Sequence, residues 1–241
     1  MIDSFDFATG RILVRKYEII SKLGYGWEGE VYKLLEIETG IERAGKFFFP
    51  ERNPNNRTLK FYAKKLHKLR RCGILIHYNT QEQITFRGQK ISFLVSEFVE
   101  GSLLQEFLDN QRGKRLNPFQ GLHLLYALAK GMECIHDQKE YHGDLHTENI
   151  IVTRVGLSFD LKLIDLFHLK VATTANMLTD VYDLIRLFYD VIGGAKRYAK
   201  QPKEVKEIVC GLKKSLIRKK FRNAGQLRTY LEKMSFVSLP A

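Results

Sequence analysis

The pattern of apolar residues changes halfway along the chain, and this change limits the folds that its 241 residues can adopt. Residues 17–50 contain β-rich runs separated by glycines, with the turn-like sequence Glu38-Thr39-Gly40 between two of them, which is typical of an antiparallel meander. Residues 83–101 predict a hairpin that turns at Arg87-Gly88. From Asn117 onward most apolar residues follow a helical period. A strand-rich lobe before a helix-rich lobe predicts an α+β fold with a cleft between them.

Local signals place individual helices and two more strands. In residues 56–71, the apolar residues fall close to a helical period among basic residues and predict one amphipathic helix. Asn117 and Pro118 are an N-cap followed by a first-turn proline, so they predict the start of a long helix. Two short strands are expected in residues 150–167. A further helix is expected from about Thr179 to Ile192.

Composition and cysteine usage indicate a globular protein of a reducing compartment. The chain is 44% hydrophobic and long enough to bury a sizeable core. Its three cysteines, Cys72, Cys134 and Cys210, are far apart and form no CxxC pair, so we expect neither a disulfide framework nor a zinc site. The acidic amino terminus lacks the apolar core of a signal peptide, and no stretch is long enough to span a membrane. These features predict a soluble cytoplasmic protein.

The net charge of +12 is concentrated in two segments. Residues 196–233 contain thirteen Lys or Arg and three Asp or Glu, and residues 52–71 contain no acidic residue at all. Such clusters attract acidic proteins, nucleic acid or anionic lipid, or they are solvated helix faces without a partner. Nucleic acid is not favoured, because no motif with interleaved aromatic residues accompanies the charge.

A glycine-rich segment lies inside the first meander. Gly24, Gly26 and Gly29 have GxGxxG spacing, and Val31 follows two residues later. Glycines at this spacing let the backbone approach a polyphosphate and direct N–H groups at its oxygens. The segment lies between two strands and does not open a helix, which argues against a dinucleotide-binding site. By itself it is equally consistent with an ordinary glycine-rich hairpin.

Lys46 interrupts the apolar pattern of a strand, two residues after Ala44. A lysine whose stem is buried presents a point charge suited to the α- and β-phosphates of a nucleotide. Taken alone, the same pattern fits a lysine that extends along the edge of a sheet into solvent.

Polar residues cluster in the sequence His142-Gly-Asp-Leu-His-Thr-Glu-Asn149, directly before a β-branched run. Asp144 and Asn149 are five residues apart, and Asp165 follows the next apolar strand. Mg²⁺ takes carboxylate and amide oxygens together with substrate phosphates, while a separate carboxylate orients an attacking hydroxyl. The cluster therefore has the groups that phosphoryl transfer requires.

These motifs occur in an order that resembles the protein kinase superfamily, from about Tyr17 to Met234. The glycine loop, the Ala44-x-Lys46 strand, the HxDLxxxN loop and the Asp165-Leu-Phe sequence follow one another as in that family. The resemblance implies a bilobal fold with an N-terminal extension (1–16), an N-lobe with an antiparallel sheet and one helix (17–99) and a mostly helical C-lobe (100–241).

The resemblance also implies a role for each candidate residue. Asp144 would be the catalytic base, and Asn149 and Asp165 would bind Mg²⁺. Lys46 would hold the phosphates of ATP, and Asp180 would brace the catalytic loop. The remaining residues expected to contact ATP are Gly24, Gly26, Gly29, Val31, Ala44, and Glu97, Phe98 and Val99 in the adenine hinge.

The helix after Lys46 and the catalytic loop depart from the pattern of the family. Residues 53–76 contain no Asp or Glu, although protein kinases pair the strand lysine with a helix glutamate, and Tyr62 falls near that position. Lys46 therefore has Glu28, Glu51, Asp165 or phosphate itself as candidate partners. Gly143 replaces the arginine that reads a phosphorylated activation loop.

His146 replaces the usual lysine of the catalytic loop, as in aminoglycoside and choline phosphotransferases. We expect it to donate a hydrogen bond to a γ-phosphate oxygen and to assist catalysis as a pH-sensitive group. The segment from Asp165 to Asp180 is short for an activation segment, so the platform for a peptide substrate is reduced. The basic carboxy-terminal helices offer another surface, where an acidic protein substrate would dock.

The favoured function is ATP- and Mg²⁺-dependent transfer of phosphate to Ser or Thr hydroxyls of a protein, including the chain itself. A small-molecule phosphotransferase is the alternative that His146 and the short activation segment favour. A pseudokinase that binds nucleotide without transfer is the alternative that the missing helix glutamate favours, and the presence of Lys46, Asp144, Asn149 and Asp165 argues against it.

Overall fold

The computed structural model describes residues 2–156, 158–166 and 172–234. These residues form two compact units. The first unit comprises the residues up to Arg71 and Leu75–Val99, and the second comprises Cys72–Ile74 and the residues from Glu100 onward.

The first unit is built on a six-stranded antiparallel sheet with the strand order β1-β2-β3-β4-β6-β5. Its elements are β1 (Ile12–Leu13), β2 (Tyr17–Gly26), β3 (Gly29–Glu36), β4 (Ile41–Phe48), α1 (Arg57–Lys68), β5 (Tyr78–Phe86) and β6 (Gln89–Glu97). The meander and the hairpin at Arg87-Gly88 are confirmed. Both turn residues of this hairpin have a positive φ, which matches the right-handed twist of the strands that they join.

Alternating residues of the strands give the first unit its core. Tyr32 and Leu34 of β3 and Phe47 of β4 are fully buried on one face of the sheet. The amino-terminal segment covers this face, because Phe5 and Phe7 are buried there and the ring of Phe7 lies 5.1 Å from that of Phe47. Residues ahead of the first strand are therefore part of the packed core.

The second unit combines a three-stranded antiparallel sheet, in the order β7-β8-β9, with seven helices among its described residues. Its strands are β7 (Ser102–Leu103), β8 (Ile150–Val155) and β9 (Ser158–Leu163). Its helices are α2 (Leu104–Asp109), α3 (Pro118–Asp137), α4 (Thr174–Val191), α5 (Gly194–Tyr198), α6 (Lys203–Val209), α7 (Lys214–Lys220) and α8 (Ala224–Glu232). The predicted α+β fold, with a sheet-rich first part and a mostly helical second part, is confirmed.

Capping residues fix where the long helices begin. Asn117 caps α3 by accepting from the Gln120 N–H at 2.8 Å, and the Gln120 side chain accepts from the Asn117 N–H, as a capping box requires. Helix α4 begins at Thr174 and not near Thr179, because Thr173 and Asn176 form a second capping box. The predicted start was five residues late, since it relied on the apolar residues and overlooked the cap.

The expectation that the cysteines form no disulfide is wrong. Cys72 and Cys134 are bonded within the second unit, with their Cα atoms 5.7 Å apart. Gly131 allows this approach, because a Cβ atom there would overlap the Ile74 side chain. The residues are 62 positions apart, so sequence spacing did not reveal the contact. The disulfide also removes the cysteine argument for a reducing compartment.

None of the helices in the described ranges is long and apolar enough to cross a membrane.

Candidate active site

One face of the sheet in the first unit carries three of the predicted nucleotide contacts. Val31 pairs directly with Lys46 across β3 and β4, and Ala44 lies two residues before Lys46 on the same strand. Side chains at paired positions, and at every second position of a strand, point to the same face of a sheet. Val31, Ala44 and Lys46 are each half-buried, whereas Tyr32 and Phe47 point to the buried aromatic core on the other face.

The glycine loop is the hairpin between β2 and β3. Gly26 pairs with Gly29, so Trp27 and Glu28 form the tip, while Gly24 pairs with Val31. A Cβ atom on Gly29 would overlap the Phe47 carbonyl oxygen, whereas atoms added at Gly24 and Gly26 would meet nothing within 4 Å. Gly29 is therefore required by the close approach of β3 to β4, and the other two leave open space above the loop.

Lys46 is paired with Glu28. Its Nζ atom lies 2.9 Å from Glu28 Oε2, and the two side chains are 17% and 10% exposed. The Tyr62 hydroxyl donates to the same carboxylate oxygen at 3.0 Å. Glu28 is one of the candidate partners that the sequence offered, and the structure adds Tyr62, whose role sequence reasoning missed.

The predicted hinge follows strand β6, which pairs with β4 and β5. Glu97 is the last residue of β6, and its N–H donates to the His77 carbonyl oxygen at 3.0 Å. Phe98 and Val99 come next and are half-buried, and the Lys33 ammonium lies 4.3 Å from the centre of the Phe98 ring. Glu97, Phe98 and Val99 thus form a half-buried segment directly after a buried strand, as expected for a segment that presents backbone groups to a ligand.

In the second unit, the structure brings Asp144 and Asn149 together. The Asn149 amide nitrogen donates to the Asp144 carbonyl oxygen at 2.8 Å and to its carboxylate at 3.2 Å. Asn149 is 6% exposed, whereas the Asp144 side chain is 47% exposed. A buried amide therefore fixes an accessible carboxylate, and its own oxygen Oδ1 is left to accept from, or bind, another group.

Asp180 of α4 holds the backbone of the catalytic loop. Its two carboxylate oxygens accept from the His142 and Gly143 N–H groups, each at 2.8 Å, and His136 Nε2 lies 3.1 Å from Oδ2. Asp180 is completely buried. A buried carboxylate that accepts two backbone hydrogen bonds resists displacement, because leaving those donors unpaired costs about 1–3 kcal/mol each.

His142 ties the catalytic loop to the residue before Asp165. Its Nδ1 accepts from the Asp144 N–H at 3.2 Å, so Nε2 carries the proton and donates to the Ile164 carbonyl oxygen at 3.0 Å. The Ile164 N–H in turn donates to the Asn149 carbonyl oxygen at 3.0 Å. Asp165 is half-buried and has a φ of 55°, a left-handed conformation that is uncommon outside glycine. Hydrogen bonds thus join Asp144 and Asn149 to Ile164, the residue directly before Asp165.

His146 belongs to the same cluster. Its Nδ1 accepts from the Glu148 N–H at 3.3 Å, and its Nε2 lies 2.8 Å from Asn149 Nδ2 and 3.5 Å from Asp144 Oδ2. The His146 side chain is 43% exposed, so it remains accessible to a ligand.

Asp183, a second carboxyl on α4, has a perturbed pKa. Burial, and then the neighbouring carboxylates of Asp180 and Asp144, raise the pKa of Asp183 to about 6, and Lys214 opposes this shift only in part. Sequence reasoning missed Asp183. Its only signal was its position three residues after Asp180, on the same side of a helix.

Comparison with known proteins agrees with this architecture. The family model described as Protein kinase domain matches residues 17–184, which is more than half of the chain. The chain therefore belongs to the protein kinase family.

Three curated relatives illustrate the similarity. Cyclin-dependent kinase-like 1 of Caenorhabditis elegans is 30% identical over 167 residues, which cover 68% of this chain and 44% of the relative. Tyrosine-protein kinase SPK-1 of Girardia tigrina is 27% identical over 137 residues, covering 56% and 26%. Cyclin-dependent kinase B2-2 of Arabidopsis thaliana is 28% identical over 191 residues, covering 76% and 59%. The matches thus span between about a quarter and three fifths of the relatives' own lengths.

Proposed function

We propose that this chain transfers the γ-phosphoryl group of ATP to Ser or Thr hydroxyls of protein substrates, including its own. The observation that carries the proposal is the arrangement of Asp144, an accessible carboxylate that the buried Asn149 amide and the Asp180 brace hold in place. A carboxylate held in this way can orient a hydroxyl group and accept its proton as the hydroxyl attacks phosphorus.

The oxygen atoms of this cluster fit a magnesium ion. Mg²⁺ is usually held by one or two protein ligands together with substrate phosphates and water. Asn149 directs its amide nitrogen to Asp144, which leaves Oδ1 for a metal, and Asp165 follows directly on the hydrogen-bonded Ile164. Asn149 and Asp165 would hold the ion, whose chemistry is to neutralise the charge of the phosphates.

Residues of the first unit would bind ATP. Lys46 would pair with the α- and β-phosphates, and the glycine loop would offer backbone N–H groups to them. Val31 and Ala44 share a face with Lys46 and would contact the nucleotide through apolar atoms. Glu97, Phe98 and Val99 would contact adenine through backbone groups.

Serine and threonine are the proposed acceptors. A relative named as a probable serine/threonine-protein kinase, 28% identical over 149 residues, supports this choice. A relative named as a tyrosine-protein kinase makes the acceptor a point to test. Since Gly143 replaces the arginine that reads a phosphorylated loop, we propose that activity does not require such phosphorylation.

An acidic protein is the proposed substrate, and helix α7 the proposed docking surface. This helix buries Ile217 and exposes Lys214, Arg218 and Lys219, with Lys213 just ahead of it. Cations on one exposed helix attract a partner of opposite charge. A cytoplasmic location for this activity remains part of the proposal.

A small-molecule phosphotransferase is the second candidate. The observation that favours it is the contact of His146 with Asn149 and Asp144, since a histidine at this place occurs in aminoglycoside and choline phosphotransferases. Only residues 166–173 separate Asp165 from α4, which leaves little chain to hold a peptide substrate.

The test is incubation of the purified chain with γ-labelled ATP and Mg²⁺, alone and with an acidic or a basic acceptor protein, followed by phosphoamino-acid analysis. We expect label on Ser or Thr, more on the acidic acceptor, and none with Asp144→Ala. Label on tyrosine would correct the acceptor. Absence of label from every protein, while ADP still raises the melting temperature, would overturn the proposal and favour the second candidate or a pseudokinase.

A further inference from the structure

The helix that follows the strand lysine cannot supply an acidic partner. Residues 53–76, which include all of α1, contain no Asp or Glu. Tyr62 of α1 is 4% exposed and lies where such a carboxylate would be needed, since its hydroxyl reaches the carboxylate that pairs with Lys46. A neutral phenol cannot balance an ammonium charge, so an acidic partner of Lys46 has to come from outside α1.

Glu28 supplies this charge from the tip of the glycine loop. One of its oxygens, Oε2, accepts hydrogen bonds from the Lys46 ammonium at 2.9 Å and from the Tyr62 hydroxyl at 3.0 Å. The Lys46 ammonium also lies 4.7 Å from the centre of the Tyr62 ring. The three side chains therefore form a closed triangle of an ion pair, a hydrogen bond and a cation–π contact.

The backbone holds Glu28 in this position. The Glu28 carbonyl oxygen accepts from the Phe49 N–H at 2.9 Å, just beyond the end of β4. Gly29 lets β3 approach β4 closely, because any side chain there would overlap the Phe47 carbonyl oxygen. The loop tip is therefore fixed to the strand that carries Lys46. A buried, hydrogen-bonded carboxylate at a fixed backbone position can orient a lysine as a helix glutamate would.

We infer that Glu28 is the positioning residue for Lys46 and that Tyr62 orients Glu28, so that the glycine loop performs the task left open by the acid-free helix. The inference rests on the proposed function and deepens it. It also has a regulatory consequence, because a displacement of α1 would remove the hydrogen bond and the cation–π contact of Tyr62 and would leave the ion pair between Lys46 and Glu28 intact.

Steady-state kinetics of four variants tests this inference. Glu28→Gln keeps the shape and removes the charge, and we expect kcat/KM for ATP to fall between about tenfold and one-hundredfold, the value of a hydrogen bond to a charged group. Tyr62→Phe removes one hydrogen bond to Glu28 but leaves the ion pair with Lys46, so kcat/KM for ATP should fall by only about twofold to tenfold. Glu28→Gln combined with Tyr62→Glu returns a carboxylate from the helix side and should recover most of the loss.

Glu82→Gln is the matched control. Glu82 pairs with Lys16 at 2.8 Å elsewhere in the same unit, so this variant removes a similar ion pair away from Lys46. We expect its kcat/KM to stay within about twofold of wild type. Equal kinetics for Glu28→Gln and Glu82→Gln, or a double variant no better than Glu28→Gln alone, would overturn the inference.

A second measurement separates this inference from the proposed function. Acetylation of Lys46 by acetic anhydride, which transfers one acetyl group to the amine and releases acetate, requires no turnover and is followed by peptide mass spectrometry. Because the Glu28 carboxylate contacts the Lys46 ammonium at 2.9 Å and covers it, Glu28→Gln should speed acetylation several-fold, and Glu82→Gln should not. Absence of phosphate transfer by the wild type would reject the proposed function but not the pairing of Glu28 with Lys46. Equal acetylation rates of Lys46 in Glu28→Gln and Glu82→Gln would reject the pairing.

Discussion

Asp183 provides a quantitative test of the electrostatics around the catalytic loop. Its pKa is raised from 3.8 to about 6, chiefly by burial and then by Asp180, with Asp144 adding to the effect. The folded protein therefore favours the protonated carboxyl. The stability that this group contributes is complete below its ordinary pKa and is lost as pH rises through about 6. Asp183→Asn carries a neutral side chain at every pH, so it should remove the free-energy cost of an ionised carboxylate at this position in the folded protein.

The change in unfolding free energy can be worked out from the shift in the pKa of Asp183. A displacement of about two pH units corresponds to about 3 kcal/mol, since one unit is worth 1.36 kcal/mol. The carboxyl is only half-buried, so solvent screening reduces this to about 1–2 kcal/mol. At pH 7.5, Asp183→Asn should therefore be more stable than wild type by about 1–2 kcal/mol. Near pH 4 the two proteins should be equally stable.

Urea unfolding followed by far-UV circular dichroism, at several values between pH 4 and pH 7.5, measures this difference. Asp190→Asn is the control on the same helix, because Asp190 is 49% exposed and pairs with Arg186 at 2.8 Å. Loss of that surface pair should cost between 0 and about 1 kcal/mol. The difference in unfolding free energy between Asp183→Asn and wild type could fail to change with pH, or the variant could be less stable than wild type at pH 7.5. Either result would show that ionised Asp183 does not destabilise the folded protein.

Three further predictions concern stability and the disulfide. Asp180→Ala should lower the free energy of unfolding by about 3–5 kcal/mol, because it removes the buried acceptor of two backbone hydrogen bonds, and a loss below 1 kcal/mol in urea unfolding would contradict this. Gly29→Ala should cost about 1–3 kcal/mol through its overlap with Phe47, and the matched Gly24→Ala, which meets open space, should cost less; equal melting temperatures would contradict the steric account. Alkylation of the unfolded, unreduced protein should modify only Cys210, and reduction should expose two more thiols; three reactive thiols before reduction would disprove the disulfide.

Signals within a few residues allowed much of the fold to be predicted. The turn at Arg87-Gly88 and the cap at Asn117-Pro118 each depend on residue types with strong local preferences, and the structure has both features where the sequence predicted them. The start of α4 was missed although its signal was also local, because the capping box at Thr173 precedes the apolar period by several residues.

Long-range contacts could not be predicted in the same way. Glu28 and Tyr62 are 34 positions apart, and four candidates for the partner of Lys46 were equivalent until the strands were paired. Cys72 and Cys134 meet because Gly131 has no side chain, a steric fact that appears only after the segments pack. The roles of Lys46, Asp144, Asn149 and Asp165 came from family resemblance, and they stay predictions until the variants are measured.

Asp144 is proposed to act in phosphoryl transfer and not in nucleotide binding. The most direct measurement is the turnover number of wild type and Asp144→Asn at saturating ATP and Mg²⁺, with the affinity of each protein for ADP measured alongside. Removal of a general base costs about 10²–10⁴-fold, so we expect a loss of turnover in that range with ADP affinity nearly unchanged. A turnover number for Asp144→Asn close to that of wild type would show that Asp144 is not the general base.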